Sequence, residues 1–523
     1  MKQSLLIKPA AALVLTAIIL LVVLPSEGSE ADNNQPPAKL SIGKNNLPET
    51  RPGTRLAEGV EYTEITRGYV SEQAEYTVEA SLVNSREEAE DLTAELKEDG
   101  YQPKTDKVHN RNRKHTDVED RSLGYIVQIG TFEKEEEAEE LAGQASADGY
   151  ENTNVTYSEY DGTNKTTGPW QFDVLEINPD QFNGELTNKL AHSQIEDRET
   201  ISSIAGRTGA IAGINGGYFV VGSNDGVPGD PAGAYMTDGH LVSEAIGERT
   251  SLLLSGNEAE IAEVSTNLKM ETESGEAAVI DGINRKPGLS RSCGGVGDQP
   301  SNEPMHDVTC TDSSEIIRYD DFFGETTPDG EGFEAVVDEA GEVTEHYSER
   351  GRRIPDEGTV LSATGEQAEW MKDSVSVGDH LAIDENVLEG GRPMTDDSDL
   401  GIIGGGPQLL NDGSIDIQAE EEGFRWSKGF YYRFAETRHP RSLAGIKENG
   451  NILLVTVDGR NPEESLGLTF YESAQVLQSL GAVEGMNLDG GGSSTMTVGE
   501  EDVNQPSDPV GERPVSDGIL LIE

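Results

Sequence analysis

The segment Gly485-Met-Asn-Leu-Asp-Gly-Gly-Gly-Ser-Ser-Thr-Met496 joins an apolar stretch to a glycine-rich turn that carries Asp489. Glycine lets a backbone turn tightly and approach a ligand closely. Two earlier segments follow the same pattern, Ala210-Ile-Ala-Gly-Ile-Asn-Gly-Gly-Tyr-Phe219 and Leu400 to Gly406. We expect these three turns to gather polar groups at one edge of a sheet. Any single turn is equally well interpreted as a tight structural connection.

Arginines lie near other predicted strand ends, in a chain that is otherwise poor in positive charge. The segment Arg438-His-Pro-Arg441 precedes a predicted strand from Ile452 to Val457, and Asp458-Gly459-Arg460 follows that strand. Guanidinium groups bind phosphate through paired hydrogen bonds. The pattern therefore predicts an anionic substrate group, with phosphate favoured.

Several common catalytic schemes do not fit the residues around Asp489. No Gly-x-Ser-x-Gly motif surrounds Ser493 or Ser494, which argues against an esterase triad. The segment also lacks the lysine of a nucleotide-binding P-loop. The spacing of His, Cys and acidic residues is not that of a metal site, so we predict neither a metal nor another cofactor.

Six motifs occur in one order across about residues 170–523: Asn-Gly-Gly-Tyr-Phe, Gly-Gly-Gly-Pro-Gln-Leu, Arg-His-Pro-Arg-Ser, Val-Asp-Gly-Arg, Asn-Leu-Asp-Gly-Gly-Gly-Ser-Ser-Thr-Met and Arg-Pro-Val-Ser-Asp-Gly. Together they resemble the phosphodiester glycosidase family. The resemblance implies hydrolysis of a sugar that is joined through its anomeric carbon to a phosphodiester. A long insertion at about residues 283–393 departs from the family pattern, so the sugar preference need not carry over.

The leaving group in such a reaction is a phosphate monoester, whose second pKa is about 6, so it can depart largely without protonation. One carboxylate, acting as nucleophile or as base toward water, is then the main requirement. We assign this catalytic role to Asp489 first and to Asp458 second. His439 is interpreted as a packed neighbour of the site, and Arg513 with Asp517 as a structural ion pair.

The remaining predicted site residues bind substrate. Three arginines are expected to hold phosphate, Asn215 to hold sugar hydroxyls or an N-acetyl group, and the backbone N–H groups of the glycine turn to hold oxyanions. The full predicted set is Asn215, Gly216, Arg438, Arg441, Arg460, Asn487, Gly490, Gly491, Ser493 and Ser494.

An internal repeat precedes these motifs. A predicted strand from Tyr76 and a predicted helix from Arg86 recur 49 residues later, and Asp-Gly-Tyr ends both units. The repeat, at residues 72–158, resembles the SPOR domain, whose family binds bacterial cell-wall glycan strands. The resemblance implies binding of peptidoglycan. The basic loop at residues 109–115 is equally interpreted as a solvated hairpin tip or as a loop that contacts glycan or anions.

The N-terminal segment predicts export. An apolar run from Ala10 to Leu24 is shorter than the about 20 residues of a membrane helix, so we predict a signal peptide at residues 1–30 and no stable membrane span after processing. An uncleaved anchor is the alternative. Residues 31–70 are polar and proline-containing and are predicted to be a linker. Cys293 and Cys310 would then lie in an oxidising space and are predicted to form a disulfide.

The net charge of −59 argues against nucleic-acid binding and favours a halophilic source, with an ordinary acidic secreted protein as the alternative. The predicted fold class is α+β: a small βαβ-repeat domain, then a larger mixed-sheet α/β domain at residues 168–523 with a β-rich insertion. The predicted function is a secreted or wall-associated hydrolase of a sugar-phosphate or teichoic-acid-like polymer. The alternatives are a non-catalytic wall-polysaccharide-binding protein and a hydrolase of the phosphate P–O bond.

Overall fold

The computed structural model describes residues 39–162, 165–291, 299–300, 309–394 and 398–523. It is mostly β, with 43% strand and 16% helix, and fits the α+β class broadly. The predicted signal peptide at residues 1–30 lies outside the described residues. Within the described ranges, no helix is long and apolar enough to cross a membrane.

A nine-stranded sheet lies at the centre of the structure. Its strands, in spatial order, are Glu49–Thr50, Val60–Arg67, Trp170–Ile177, Ile452–Val457, Arg441–Lys447, Ala482–Asn487, Gln408–Asn411 and Ser414–Ile415, with Gly53–Ala57 paired to the second. All of its pairings are antiparallel. The predicted mixed-sheet α/β arrangement is therefore wrong for this sheet.

Burial of the central sheet on both faces explains the wrong prediction. Ile452 and Leu454 lie in the apolar core shared with the neighbouring sheets, whereas Leu453 and Val455 pack in the core that contains the helix Phe470–Leu480. A continuous apolar strand is typical of parallel sheets, because these are covered on both faces. The periodicity of the sequence does not report the direction of the neighbouring strand.

Two further antiparallel sheets cover the face that carries Ile452. The first contains, in order, Glu501–Asp502, Met496–Val498, Ala210–Asn215, Asp517–Ile522 and Glu185–Leu190. The second contains His240–Ser243, Tyr235–Thr237, Leu400–Gly404, Thr250–Ser255, Glu258–Thr272, Leu381–Glu389 and Arg392–Pro393, with Ala277–Val279 beside the long strand. The helix Ile201–Thr208 packs on the first sheet and begins at Thr200, whose side chain accepts a hydrogen bond from the Ser203 N–H.

The predicted insertion is rich in strands. One sheet contains Gly282–Ile283, Ile316–Tyr319, Thr359–Ala363, Gly330–Val337 and Val343–Arg350, and the helix Gly365–Ser374 packs on it; a smaller sheet contains Ser290–Arg291, Thr309–Thr311 and Gln299–Pro300. Cys310 is buried in the smaller sheet, but Cys293 lies outside the described residues, so their disulfide stays a prediction.

The predicted linker at residues 31–70 is wrong from Lys39 onward, because these residues are part of the central fold. Val60–Arg67 pairs along its whole length with Trp170–Ile177, and Arg67 forms a buried ion pair with Glu49 at 2.7 Å between Nη1 and Oε2. The prolines at positions 48 and 52 flank a two-residue strand at the edge of the sheet, where a missing N–H removes few ladder hydrogen bonds. Residues 31–38 lie outside the described residues.

Residues 76–157, called the repeat domain below, form a separate antiparallel sheet with two helices on one face. The strands, in order, are Pro103–His109, Ser122–Phe132, Tyr76–Val83 and Asn154–Tyr157, and the helices are Arg86–Glu98 and Glu135–Ala147. The two Asp-Gly-Tyr ends bond reciprocally: the Tyr101 hydroxyl donates to Asp148 at 2.6 Å, and the Tyr150 hydroxyl donates to Asp99 at 2.8 Å. The predicted repeat of strand, helix and turn is therefore confirmed.

The helix-free face of the repeat domain packs partly against the larger domain. Val108 and Ile126 lie in the same apolar core as Phe470. Asp120 forms ion pairs with Arg425 and, at 2.8 Å, with Lys428. The repeat domain is thus fixed to the larger domain through a shared core.

The inclusion of residues 39–67 in the fold predicts a stability effect. Ile65 is 1% exposed in the central core, so Ile65→Ala should lower the free energy of unfolding by about 2–5 kcal/mol through lost burial and a cavity. Val70→Ala, at a side chain that is 44% exposed, is the control and should change it by less than about 0.5 kcal/mol. Urea unfolding followed by circular dichroism measures both, and equal midpoints would contradict the assignment of this segment to the core.

Candidate active site

The three glycine-rich turns meet at one place. The main-chain N–H of Asp489 donates to the Gly216 carbonyl at 3.1 Å, and the N–H of Gly406 donates to the Asn487 carbonyl at 2.8 Å. The Tyr218 hydroxyl donates to the Gly406 carbonyl at 2.9 Å and accepts a hydrogen bond from the Asn487 amide at 2.7 Å. The expectation that these turns gather at one edge therefore agrees with the structure.

Asn215 holds the Asp489 backbone and is not placed to bind a sugar. Its side chain is 1% exposed, and its Nδ2 donates to the Asp489 carbonyl at 2.8 Å. Its Oδ1 accepts from the Ser442 hydroxyl at 2.6 Å and from the Thr495 N–H at 3.1 Å. Because internal partners occupy this amide, we assign Asn215 a positioning role instead of the predicted substrate contact.

Asp489 lies two residues beyond the strand Ala482–Asn487 and is half-buried. Its Oδ1 accepts a hydrogen bond from the Gly490 N–H at 2.9 Å, which fixes the orientation of the carboxylate. The Gly491 N–H donates to the Pro440 carbonyl at 2.9 Å, and the Ser493 N–H donates to the Gly490 carbonyl at 3.2 Å. These three N–H groups hold the turn and Asp489 in shape, and the oxyanion-binding role of the turn stays a prediction.

A second carboxylate, Asp517, lies behind the first. Asp517 is 2% exposed and accepts hydrogen bonds from the Gly217 N–H at 3.2 Å and the Ser516 hydroxyl at 2.5 Å. Burial, with a smaller contribution from the charge of Asp489, raises the pKa of Asp517 to about 6. A Cβ at Gly216 would stand 1.8 Å from Asp517 Oδ1, so only glycine fits between the two aspartates.

The predicted phosphate-binding arginine Arg438 is a structural residue. It is 2% exposed, and Glu472 binds its guanidinium at 2.6 Å (Nη2 to Oε1) and 2.9 Å (Nε to Oε2). Its Nη1 donates to the carbonyl of Glu159 at 2.5 Å and to that of Asp161 at 3.2 Å. The side chain therefore joins the segment that follows the repeat domain to the larger domain, and its guanidinium is not available to substrate.

Arg441 is also buried, although it packs directly behind the turn. Its guanidinium lies over the Phe470 ring at 4.5 Å, and it donates to the carbonyl oxygens of Leu468 at 3.0 Å and Phe434 at 2.5 Å. Burial lowers the pKa of Arg441 to about 10. A Cβ at Gly490 would lie 3.7 Å from its Cδ, so the side chain supports the turn.

Arg460 and Arg513 flank the glycine turn. A Cβ at Gly491 would lie 3.1 Å from Arg460 Nη2, and a Cβ at Gly492 would lie 2.3 Å from Arg513 Nη2. Arg460 is exposed and has a φ of 60°, a left-handed conformation that is uncommon for a residue with a side chain. Partial desolvation of the guanidinium by the surrounding protein and the neighbouring charge of Arg513 lower the pKa of Arg460. Positive charge is thus concentrated beside Asp489.

Arg513 forms an ion pair with Asp508, at 2.6 Å between Nε and Oδ2. The predicted ion pair of Arg513 with Asp517 is therefore wrong. The Nη1 of Arg513 also donates to the Ser493 hydroxyl at 3.3 Å. The predicted substrate residue Ser493 is therefore fully buried beneath this arginine. Ser494 is 1% exposed, and its Oγ has no hydrogen-bond partner among the described residues.

Asp458, the second choice for the catalytic carboxylate, positions a loop. It is 7% exposed, and its Oδ1 accepts hydrogen bonds from the Asn504 amide at 3.0 Å and the Gln505 N–H at 2.9 Å. Burial raises the pKa of Asp458 to about 6. The loop continues to Asp508, which holds Arg513, so Asp458 acts on the site through its neighbours.

His439 is kept neutral near physiological pH. Burial and the positive charges of Arg441 and Arg460 lower the pKa of His439 to about 3. Its Nε2 lies 2.7 Å from the Arg433 carbonyl, which can only accept, so this nitrogen carries the proton in the neutral ring. The interpretation of His439 as a packed neighbour therefore agrees with its surroundings.

The sequence did not point to Asn504 and Asp508, the polar residues that hold the arginine loop. They occur in a short polar turn with no periodic or motif signal, and only the fold brings them to Asp458 and Arg513. In the described part of the chain, no cluster of three or more His, Cys, Asp or Glu residues is arranged to hold a metal ion. The absence of a cofactor stays a prediction.

Two family models match the chain. The phosphodiester glycosidase model matches residues 331–522, and the SPOR model matches residues 123–166. The bovine protein N-acetylglucosamine-1-phosphodiester α-N-acetylglucosaminidase is 30% identical over 173 residues, which are 32% of this chain and 31% of that protein. The chain contains a phosphodiester glycosidase family domain and, N-terminal to it, a SPOR domain. Both predicted family resemblances are thereby confirmed, while the chain spans less than a third of the bovine protein's length.

Two solved structures also resemble this chain. A Burkholderia pseudomallei protein described as exported is 31% identical, with a TM-score of 0.84, and the match covers 93% of this chain and 99% of that one. A Synechocystis protein is 19% identical, with a TM-score of 0.53, and the match covers 91% of this chain and 81% of that one. The second likeness concerns the fold alone. The first extends over the SPOR domain, the phosphodiester glycosidase domain and the insertion.

The different surroundings of the arginines predict different effects on stability. Arg438→Met should lower the free energy of unfolding by about 3–5 kcal/mol, because it leaves Glu472 buried without its cation. Arg460→Met, at an exposed side chain, should change it by less than about 0.5 kcal/mol. Urea unfolding of both variants measures these changes. A similar decrease in the free energy of unfolding of the two variants would contradict a structural role for Arg438 and a site role for Arg460.

Proposed function

We propose that this protein is an extracytoplasmic hydrolase that cleaves the bond between an anomeric carbon and a phosphodiester in a cell-wall or exopolysaccharide glycan. The products are a free sugar and a phosphomonoester. The observation that carries this proposal is the placement of Asp489 beside Arg460 and Arg513, within a phosphodiester glycosidase family domain. The activity named for the bovine relative supports the same reaction class.

The proposed chemistry needs one carboxylate and a receiver for negative charge. Asp489 attacks the anomeric carbon or takes a proton from the attacking water, and Gly490 holds its carboxylate in one orientation. The anomeric C–O bond breaks, and its electron pair leaves with the phosphate. Because this leaving group is a weakly basic phosphate, arginines can assist its departure without a protonating acid.

Arg460 and Arg513 are the proposed phosphate-binding residues. Both lie against the glycine turn that follows Asp489, and they are close enough for their charges to interact. The predicted roles of Arg438 and Arg441 as direct phosphate ligands are replaced, because both guanidinium groups are buried among internal partners. The positive charge of Arg441 still contributes to the field at the site, as its lowering of the pKa of His439 indicates.

The SPOR domain and the similarity to an exported protein support a location in the cell envelope, outside the cytoplasm. The SPOR domain also implies binding of peptidoglycan. A natural substrate in this location is a sugar-phosphate or teichoic-acid-like polymer. The halophilic source remains a hypothesis from the net charge of −59 alone.

Hydrolysis in ¹⁸O-labelled water tests the reaction class. With the methyl diester of N-acetylglucosamine 1-phosphate as probe, attack at the anomeric carbon should place the label in the sugar, as read by mass spectrometry. Label in the phosphate would instead identify a hydrolase of the P–O bond. No turnover of this probe or of a sugar-phosphate polymer would favour the non-catalytic wall-binding alternative.

Substitutions at the two key side chains test their roles. Asp489→Asn keeps the size of the side chain but removes its charge, so turnover of the diester should fall by at least about 1,000-fold while binding is largely retained. Arg460→Lys keeps the charge but loses the two-pronged geometry, which should lower kcat/KM by about 10- to 100-fold, equivalent to about 1–3 kcal/mol.

Steady-state kinetics with two substrates separate these roles. On an aryl glycoside, whose leaving group is not a phosphate, the Arg460→Lys loss should shrink while the Asp489→Asn loss persists. Arg353→Lys, at an exposed side chain in the insertion, is the matched control and should leave kcat/KM unchanged. Near wild-type turnover by Asp489→Asn would show that the carboxylate has been misassigned.

A further inference from the structure

A groove of about 950 Å³, called the interdomain groove below, lies beside the candidate active site. Its other border is the four-stranded sheet of the repeat domain at residues 76–157, called the SPOR sheet below. Lys104, Gln128 and Thr156 line one side of the groove, from three strands of the SPOR sheet. Arg433 and Arg460 line the other side, from the phosphodiester glycosidase domain. The two domains therefore form one cavity.

The alternation of strand residues explains how the SPOR sheet faces this groove. Val78, Val127 and Val155 fill the core beneath the two SPOR helices. Because successive side chains of a strand point to opposite faces, their neighbours Gln128 and Thr156 point away from the helices and into the groove. One part of the helix-free face, at Val108 and Ile126, is thus packed against the larger domain. Another part, at Gln128 and Thr156, faces the groove.

The groove reaches the edge of the candidate active site at Arg460. Arg460 lines it and also lies against the glycine turn beside Asp489. Three tyrosines are also among the lining residues: Tyr76 lies 5.0 Å from Tyr157, and Tyr157 lies 5.5 Å from Tyr160, measured between ring centroids. Tyrosine offers an apolar ring with a polar tip, which suits contact with a sugar. A polymer in the groove would therefore reach Arg460, whose charge interacts with that of Asp489.

The charge of the groove is opposite in balance to that of the chain. Six lining residues are Lys or Arg and four are Asp or Glu, whereas the whole chain has 39 basic and 98 acidic residues. Arg438 is engaged by Glu472, and Lys107 lies over the Tyr125 ring. Lys104, 73% exposed, pairs with Asp106 at the surface. Arg433 pairs with Glu79. The groove thus lacks the acidic excess of the rest of the chain, so an anionic ligand is repelled less here than elsewhere on the surface.

We propose that the SPOR sheet of this protein is a subsite of the hydrolase, which holds phosphate-bearing units of an anionic sugar–phosphate polymer next to the bond to be cleaved. A neutral glycan strand would give no reason for the groove to lack the acidic excess of the chain. The nature of the cleaved bond rests on the proposed function above, whereas binding of a phosphate polymer to the groove can be tested independently of hydrolysis.

Binding to the full chain tests the groove directly. The probe is poly(glycerol phosphate), which carries phosphodiesters but no glycosidic bond, and the comparison ligand is neutral chitohexaose. Lys104→Glu with Thr156→Glu should weaken binding of poly(glycerol phosphate) at least tenfold at fixed ionic strength. The matched control, Lys97→Glu with Gln144→Glu, makes the same change in net charge at exposed residues on the SPOR helices and should leave the Kd unchanged.

Unchanged affinity in the groove variant, or tighter binding of chitohexaose than of the phosphate polymer, would overturn the proposal and favour a neutral glycan ligand. Kinetics provide a second readout. The ratio of kcat/KM on a sugar-phosphate polymer to that on a short diester should fall at least tenfold in the groove variant and stay constant in the control. If the wild type hydrolyses no diester, the proposed function fails, but the binding result still decides the groove.

Discussion

The buried amide of Asn215 holds together the parts of the structure on which the site depends. It bonds at once to Ser442 in the central sheet, to Thr495 before a strand of the neighbouring sheet, and to the backbone of Asp489. A buried amide loses free energy if its partners are missing, so its hydrogen bonds fix how the two sheets meet. The position of the Asp489 carboxylate follows from this constraint.

Glycine and arginine complete the site around that point. Gly216 leaves room for Asp517 beside the Asp489 backbone, and the turn at residues 490–492 lets two guanidinium groups lie close to the main chain. The buried arginines, Arg438 and Arg441, stabilise the surroundings through internal hydrogen bonds. The more exposed Arg460 and Arg513 place their charge beside the turn that follows Asp489. Nearby arginines thus have different roles because their burial and partners differ.

The packing of the SPOR domain changes what its sheet can contact. Part of its helix-free face is buried in the core around Phe470, which fixes the domain in one orientation. The remaining part borders the interdomain groove with Arg460. The ion pair between Glu79 of the SPOR sheet and Arg433 lies across this boundary. The SPOR sheet and Arg460 of the larger domain therefore border one groove.

The sequence by itself determined the local elements and the family motifs. Helix periodicity, the Asp-Gly-Tyr ends and the order of glycine motifs are short-range features, and they correctly indicated the SPOR repeat and the meeting of the three glycine-rich turns. Tertiary structure alone decided the strand directions, the inclusion of residues 39–67 in the central sheet, and which arginines face solvent. These properties depend on contacts between residues far apart in the chain, such as Arg438 with Glu159 and Asp458 with Asn504. An apolar sequence pattern indicates that a segment is buried, but it does not indicate which segment packs against it.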